Sequence, residues 1–307
     1  MRDAKKLLLL LAGLAAAGLA DSAILLAQNP PIIEAGPPRA NGAVLAHAVV
    51  GLKDAERAQY LYERIERVES RKESGDRDPQ SVRIFRVIPA GTGVAKIPLG
   101  LDGKPADQES YRAELEKLLK SLLWAAETGQ PQREAYQKIQ KKQKDRDELI
   151  EATENAFLFT FVAREPRGDR VLSKYRMEPN PAFRPSNRSQ SIFSRVRGFV
   201  WIDDESQQMA RVEGEVTEDI SLGVFLAKVY KGSRFLQDRY EMVPGVWLPS
   251  FTQYDFDGRK LFSSFAVHEK TFFSGYRRIG PPSEAAGKIR EELAQLDALK
   301  SKSAGGS

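Results

Sequence analysis

Phe157-Leu158-Phe159-Thr160-Phe161-Val162 is the stretch on which the fold turns. Before it, from Asp107, apolar residues recur at three- and four-residue steps; here the rings recur at every second position, with Leu158, Thr160 and Val162 between them. A step of two is the strand period, in which successive side chains point to opposite faces. The turn Pro166-Arg167-Gly168-Asp169 leads into a second run, Val171 to Met177. Then come Ile192 to Ile202, a turn at Asp203-Asp204-Glu205-Ser206, and Met209 to Val216. Two long runs, Lys228 to Met242 and Val246 to Phe256, flank Pro244-Gly245, and Asp257-Gly258 is expected to turn into Leu261 to Phe273. Long strands joined by short turns, with no helices between them, predict an antiparallel meander rather than a parallel sheet. Strands of this length curl.

Upstream, Asp107 to Trp124 predicts a helix, because Tyr111, Leu115, Leu118, Leu119 and Leu122 make one apolar stripe between Glu114, Glu116, Lys117 and Lys120. Gly129 to Pro131 ends it, and a more polar helix is expected from about Gln132 to Thr153. The basic run there (Lys138, Lys141, Lys142, Lys144, Arg146) is interleaved with Asp145, Asp147 and Glu148, which reads as a solvated face. Still earlier, Val82 to Ile88 is a clear strand. Tyr60 to Ser70 can be read in two ways, as part of a long helix through Tyr62 and Ile65 or as the hairpin partner of that strand across a Gly/Asp/Pro turn, and the turn favours the hairpin. At the other end, Ser283 to Lys300 is an amphipathic helix through Ala286, Ile289, Leu293 and Leu296.

Met1 to Ala27 reads as a cleaved secretory signal peptide. Arg2, Lys5 and Lys6 precede an apolar run, Leu7 to Ala20, that is too short for a bilayer core of about 30 Å, and Ala20 and Ala27 are the cleavage options. The expected location is therefore the periplasm, with no transmembrane segment in the mature chain. Residues 28–51 form a Pro/Gly-rich lead-in, 52–280 the main domain with a helical insertion at 107–153, and 281–307 a closing helix and tail. A net charge of +5 is too small and too dispersed for nucleic acid. With no cysteine there are no disulfides and no thiolate chemistry.

Motifs for chemistry are nearly absent. The two histidines, His47 and His268, form no pair at metal spacing, so no metal site and no cofactor are expected. There is no G-x-S-x-G elbow. Gly91-x-Gly93 lacks the third glycine of a dinucleotide loop, and Gly287-Lys288 is followed by Ile289 where a phosphate loop needs Ser or Thr. Asp255-x-Asp257-Gly258 is a fragment of a calcium loop without its terminal glutamate and reads as a hairpin turn. No catalytic residue is assigned.

The aromatics are the richer population. Phe157, Phe159, Phe161, Trp201, Trp247 and Phe265 place large rings on long strands, and Phe225 lies in the apolar connection Ser221 to Ala227. Their ordinary role is to fill a core. The alternative is that they line an apolar cavity of the kind a curled sheet closed by a helix offers, with Phe225 on a lid or docking patch. These seven are the candidate ligand-binding residues.

Arg197-Gly198-Phe199-Val200-Trp201-Ile202-Asp203 followed by Met209-Ala210-Arg211-Val212-Glu213, with Gly245-Val246-Trp247-Leu248-Pro249 and Phe273-Ser274-Gly275-Tyr276-Arg277, resembles the periplasmic lipoprotein-sorting and lipoprotein-carrier (Lol-type) class. The resemblance covers Asn155 to Ile279. It implies an incomplete antiparallel barrel folded over helices, whose apolar interior holds acyl chains in the carriers. The expected fold is thus α+β: a curled antiparallel sheet packed over helices, with the helical insertion. The expected function is non-enzymatic binding of a lipid, a lipidated protein or another hydrophobic envelope ligand in the concavity. A protein–protein interaction module with a filled core is the alternative, and a hydrolase with dispersed carboxylates the third.

Overall fold

The computed structural model describes residues 41–71, 81–222, 227–260 and 263–304. The stretch read as a signal peptide, Met1 to Ala27, the expected turn cluster from Ser74 to Pro79, and Gly223 to Leu226 with Phe225 lie outside them. The chain is α+β, its strands antiparallel and its sheet open rather than closed into a barrel. It divides into two compact units; the first takes in the described residues of 41–55, 69–71 and 145–273, the second those of 56–68, 81–144 and 274–304.

In the first unit Phe157 does begin the sheet. Strands β5 (Phe157–Arg167), β6 (Arg170–Pro179), β7 (Val196–Asp203), β8 (Met209–Val216), β11 (Arg234–Val243), β12 (Val246–Lys260) and β13 (Ser263–Arg278) lie side by side in that order, with β5 at the edge. The short hairpin β9 (Ile220–Leu222) and β10 (Ala227–Val229) adds to β12. Bulges at Phe161/Ala163, Trp201/Ile202 and Asp238/Arg239 bend the strands.

One face of this sheet is apolar and covered. Phe157, Tyr175, Met177, Val200, Val212, Phe235, Tyr254 and Phe256 form a single buried cluster. Helix α1 (Asn41–Ala58) lays Leu45, Ala48, Val49 and Leu52 on it, and the end of the helix Gln130–Ala156 adds Leu149 and Ile150. The 3-10 turn Gln190–Arg195 contributes Ile192 and Phe193. Each such large side chain stabilises the fold by about 1.5–3 kcal/mol on burial. Two cross-strand Gly–Phe pairs tighten the layer: Phe235 lies over Gly214 and Phe265 over Gly258, each ring where a Cβ on the glycine would sit.

Four expectations change here. Helix α1 starts at Asn41, inside the stretch read as a lead-in, because the Leu45/Ala48/Val49/Leu52 stripe is packed and outweighs the local Pro/Gly composition. The run Ile192 to Ile202 opens with the 3-10 turn before β7. The run Lys228 to Met242 is broken at Gly232, whose φ of 89° turns the chain between β10 and β11. Asp257-Gly258 is not a turn: β12 runs through it to Lys260, and Gly258 is there because the Lys228 carbonyl oxygen would lie 2.2 Å from a Cβ.

In the second unit, β1 (Tyr62–Arg71) confirms the strand reading of Tyr60 to Ser70, and the order is β4-β3-β2-β1-β13, with β2 at Ser81–Pro89, β3 at Val94–Leu101 and β4 at Lys104–Pro105. Asp107 caps helix α2 (Gln108–Ala126), accepting the Ser110 N–H at 2.8 Å. Helix α3 (Gln130–Ala156) follows after a short break. The α2 stripe Leu115, Leu118, Leu122 meets Ala285, Ala286, Ile289 and Leu293 of α4 (Pro282–Ala304) over Ile88 and Ile97. Beside this core lies a buried ion cluster. Arg86 donates from Nε to Glu63 at 2.9 Å, and from Nη1 to Tyr111 at 2.6 Å and to both Glu292 oxygens at 2.7 and 2.8 Å. Tyr111 in turn donates to Glu292 at 2.7 Å, and Arg277 pairs with Glu63.

Candidate functional site

The opposite face of the first unit's sheet is polar, and register shows how. Arg176, Phe199, Glu213, Leu236, Gln253 and Lys270 stand opposite one another across six strands, β6 to β13. One step along, Arg197, Glu215, Arg234, Asp255 and His268 form a second row in which charge alternates from Arg197 to Asp255. Their members on β6 to β12 line a groove of about 660 Å³. Phe199 and Leu236, with the buried Met177 and Phe235 at its floor, are its apolar lining, and Arg176, Arg197, Arg234, Glu178, Glu213, Glu215 and Asp255 its charged one.

The charges differ in how fully they are engaged. Arg197 approaches Glu215 only to 3.9 Å, while Glu213 takes Arg211 at 3.3 Å. Asp255 accepts from Gln253 at 2.5 Å and meets His268 Nδ1 at 3.3 Å; His268 Nε2 lies 3.7 Å from Asp257. Among the described residues, Arg176 and Arg234 have no ion pair or hydrogen bond, and both are exposed. Two unengaged guanidiniums beside an apolar surface favour an anionic group on a ligand that also carries a hydrophobic part.

Beyond the groove the same face is sealed by interleaved cations and rings. Lys174 sits 4.8 Å from the Phe199 ring and 4.6 Å from Trp201, and Arg211 lies 5.1 Å from Trp201. Trp201 Nε1 donates to Glu165 at 2.7 Å. Arg170 covers Trp247 at 5.1 Å while engaging Asp203 and Glu241. Burial works against the charge of Arg170, but the two carboxylates outweigh it and hold the guanidinium pKa above its usual value.

The seven ring candidates do not share one surface. Phe157, Phe159, Phe161 and Phe265 belong to the helix-covered apolar face. Trp201 and Trp247 lie on the other face, buried to 5% and 4% exposure with Leu172, Ala210 and Phe199. Phe225 is outside the described residues. Arg176, Arg234 and Leu236 were not singled out from sequence; the only signal was their place on the polar side of the two-residue alternation, which every exposed strand residue shares.

The result is an α+β protein with an open antiparallel sheet, helix-covered on one face and grooved on the other. No family model and no curated protein sequence matches the chain. Among solved structures it is similar to a DUF1329 family protein from Desulfovibrio piger, at 10% identity and TM-score 0.27, covering 77% of this chain and 92% of that one. It is also similar to a LolA superfamily protein from Nitrosomonas europaea, at 9% identity and TM-score 0.25, with the same coverage. At these TM-scores the likeness carries no functional argument.

Proposed function

We propose that this chain is an exported, non-enzymatic binding protein for an amphipathic envelope ligand, a lipid or a lipidated protein, held in the polar-face groove of the first unit. The supporting observation is the groove itself: Phe199 and Leu236 supply an apolar surface, while Arg176 and Arg234 present cationic groups that have no partner among the described residues. Its volume falls within the range of small-molecule sites, about 300–1,000 Å³. Export rests on the sequence of Met1 to Ala27. Of the ring candidates, Phe157, Phe159, Phe161 and Phe265 then serve the core, and Trp201 and Trp247 form the rigid wall behind Phe199.

The second reading, an interaction module with a filled core, is favoured by the helices that cover the apolar face. One experiment separates the two. Native mass spectrometry of protein isolated from the periplasm, with titration of a fluorescent fatty acid, should reveal a bound lipid mass and saturable uptake. Arg176→Glu combined with Arg234→Glu should weaken uptake at least tenfold with an unchanged thermal melt. A clean apo mass with no uptake by the wild-type chain ends the ligand-binding reading in favour of the module.

A further inference from the structure

We propose that β5 is a homodimer interface, in which two copies of the chain pair their β5 strands antiparallel about a two-fold axis at Thr160. Strand β5 ends the first unit's sheet, and among the described residues nothing bonds to the outer backbone of Phe157 to Ala163. An edge of this kind is ordinarily blunted by charge, proline or a bulge. Here Arg164, Glu165 and Pro166 come only after the bulge, which falls at Val162, so Phe157 to Phe161 is an uncharged, regular edge and the bulge touches only the last residue of the pairing segment.

Both faces of that half-strand are apolar and incompletely covered. On the polar face Leu158 and Val162 are 51% and 42% exposed. On the other, Phe159 and Phe161 pack against the core yet stay only partly buried, unlike Phe157 further in.

The occupant is a second copy because the segment complements itself. Leu158-Phe159-Thr160-Phe161-Val162 reads nearly the same in both directions. Antiparallel pairing about Thr160 sets Leu158 against the partner copy's valine and Phe159 against its second phenylalanine, so each apolar side chain meets one of its own kind. Threonine meets threonine on the axis, which is the self-complementarity an isologous contact requires. The pairing would satisfy the free backbone groups and cover the exposed residues on both faces in one step. It uses the edge backbone rather than the groove; Arg176, directly across from Thr160 on β6, is the groove residue nearest the axis. Because the tests below read association alone, the interface stands or falls apart from the ligand reading.

The absence of cysteine makes the test clean. Directly opposed residues of an antiparallel pair have Cα atoms about 4.5–5.5 Å apart, within disulfide reach. Mild oxidation of the full chain carrying Thr160→Cys should give a covalent dimer rapidly, whereas Asp169→Cys at the exposed β5–β6 turn should stay monomeric. Sedimentation of the wild-type chain should show a dimer at micromolar concentration, and Val162→Lys should sediment as a monomer with an unchanged melt. A wild-type chain that stays monomeric across the micromolar range overturns the proposal. So does a dimer that survives Val162→Lys, or one that cross-links through Asp169→Cys but not through Thr160→Cys.

Discussion

Arg86→Met should be the most damaging single change in the second unit. Arg86 is 7% exposed and holds Glu63, itself 3% exposed, together with Glu292 and Tyr111. Burial alone would lower its pKa; hydrogen bonding to Glu292 and the charge of Glu63 overcome that and raise it, so the guanidinium is fixed in its charged form. Methionine fills much of the same space but leaves Glu63 to Arg277 alone and frees Glu292 from its cation. Breaking a buried pair by removing one partner costs about 3–5 kcal/mol, because the remaining charge stays desolvated. For a chain of this size that is a fall of roughly 6–20 °C in melting temperature. The measurement is a thermal melt by circular dichroism, repeated with Glu63→Leu and Glu292→Leu added to Arg86→Met. The combined variant should recover most of the loss, since well-packed apolar replacements of a buried ion cluster are close to neutral. A single Arg86→Met chain melting within 2 °C of wild type would refute the reasoning, because it would mean that water already screens the cluster.

Acid should act through the same residues. Burial alone would raise the Glu292 pKa, but hydrogen bonds from Arg86 and Tyr111 bring it below the ordinary carboxylate value. The unfolded chain therefore binds this proton first, and the stability Glu292 contributes is present above its unfolded pKa and lost as pH falls through the folded one. Stability measured by urea titration from neutral to acid pH should fall less steeply for Glu292→Gln than for wild type. Gly198→Ala should cost about 1–3 kcal/mol or more, because the new Cβ would lie 1.9 Å from the Glu213 carbonyl oxygen, a backbone atom that cannot swing aside; denaturant melts report it directly. Trp247→Ala should cost about 3–5 kcal/mol by leaving a cavity. Trp124 is 38% exposed while Trp201 and Trp247 are buried, so iodide should quench only part of the tryptophan emission, and Trp124→Phe should remove the quenchable part. Uniform quenching of all three would contradict the burial of the strand tryptophans.

Wherever neighbours along the chain set the pattern, the sequence suffices. The two-residue period from Phe157 is enough to place β5 and β6, since alternation is a property of the strand itself. The Leu115/Leu118/Leu122 stripe likewise locates α2, with Asp107 at its cap. Composition excludes disulfide and thiolate chemistry. Local signals mislead where a distant contact decides. Gly258 looks like a turn until the Lys228 carbonyl and the Phe265 ring are seen to need its missing side chain. Asn41 to Gly51 looks like a tether until the sheet supplies an apolar face for its stripe. The groove is the furthest from view. Arg176, Phe199, Glu213, Leu236 and Gln253 come from five strands, and only the pairing register brings them into one row. A shift of one residue in any strand would turn its member to the opposite face. Which rings face the helices and which face the groove is for the same reason a property of the assembled sheet, whereas that there are rings at alternate positions is written in the chain.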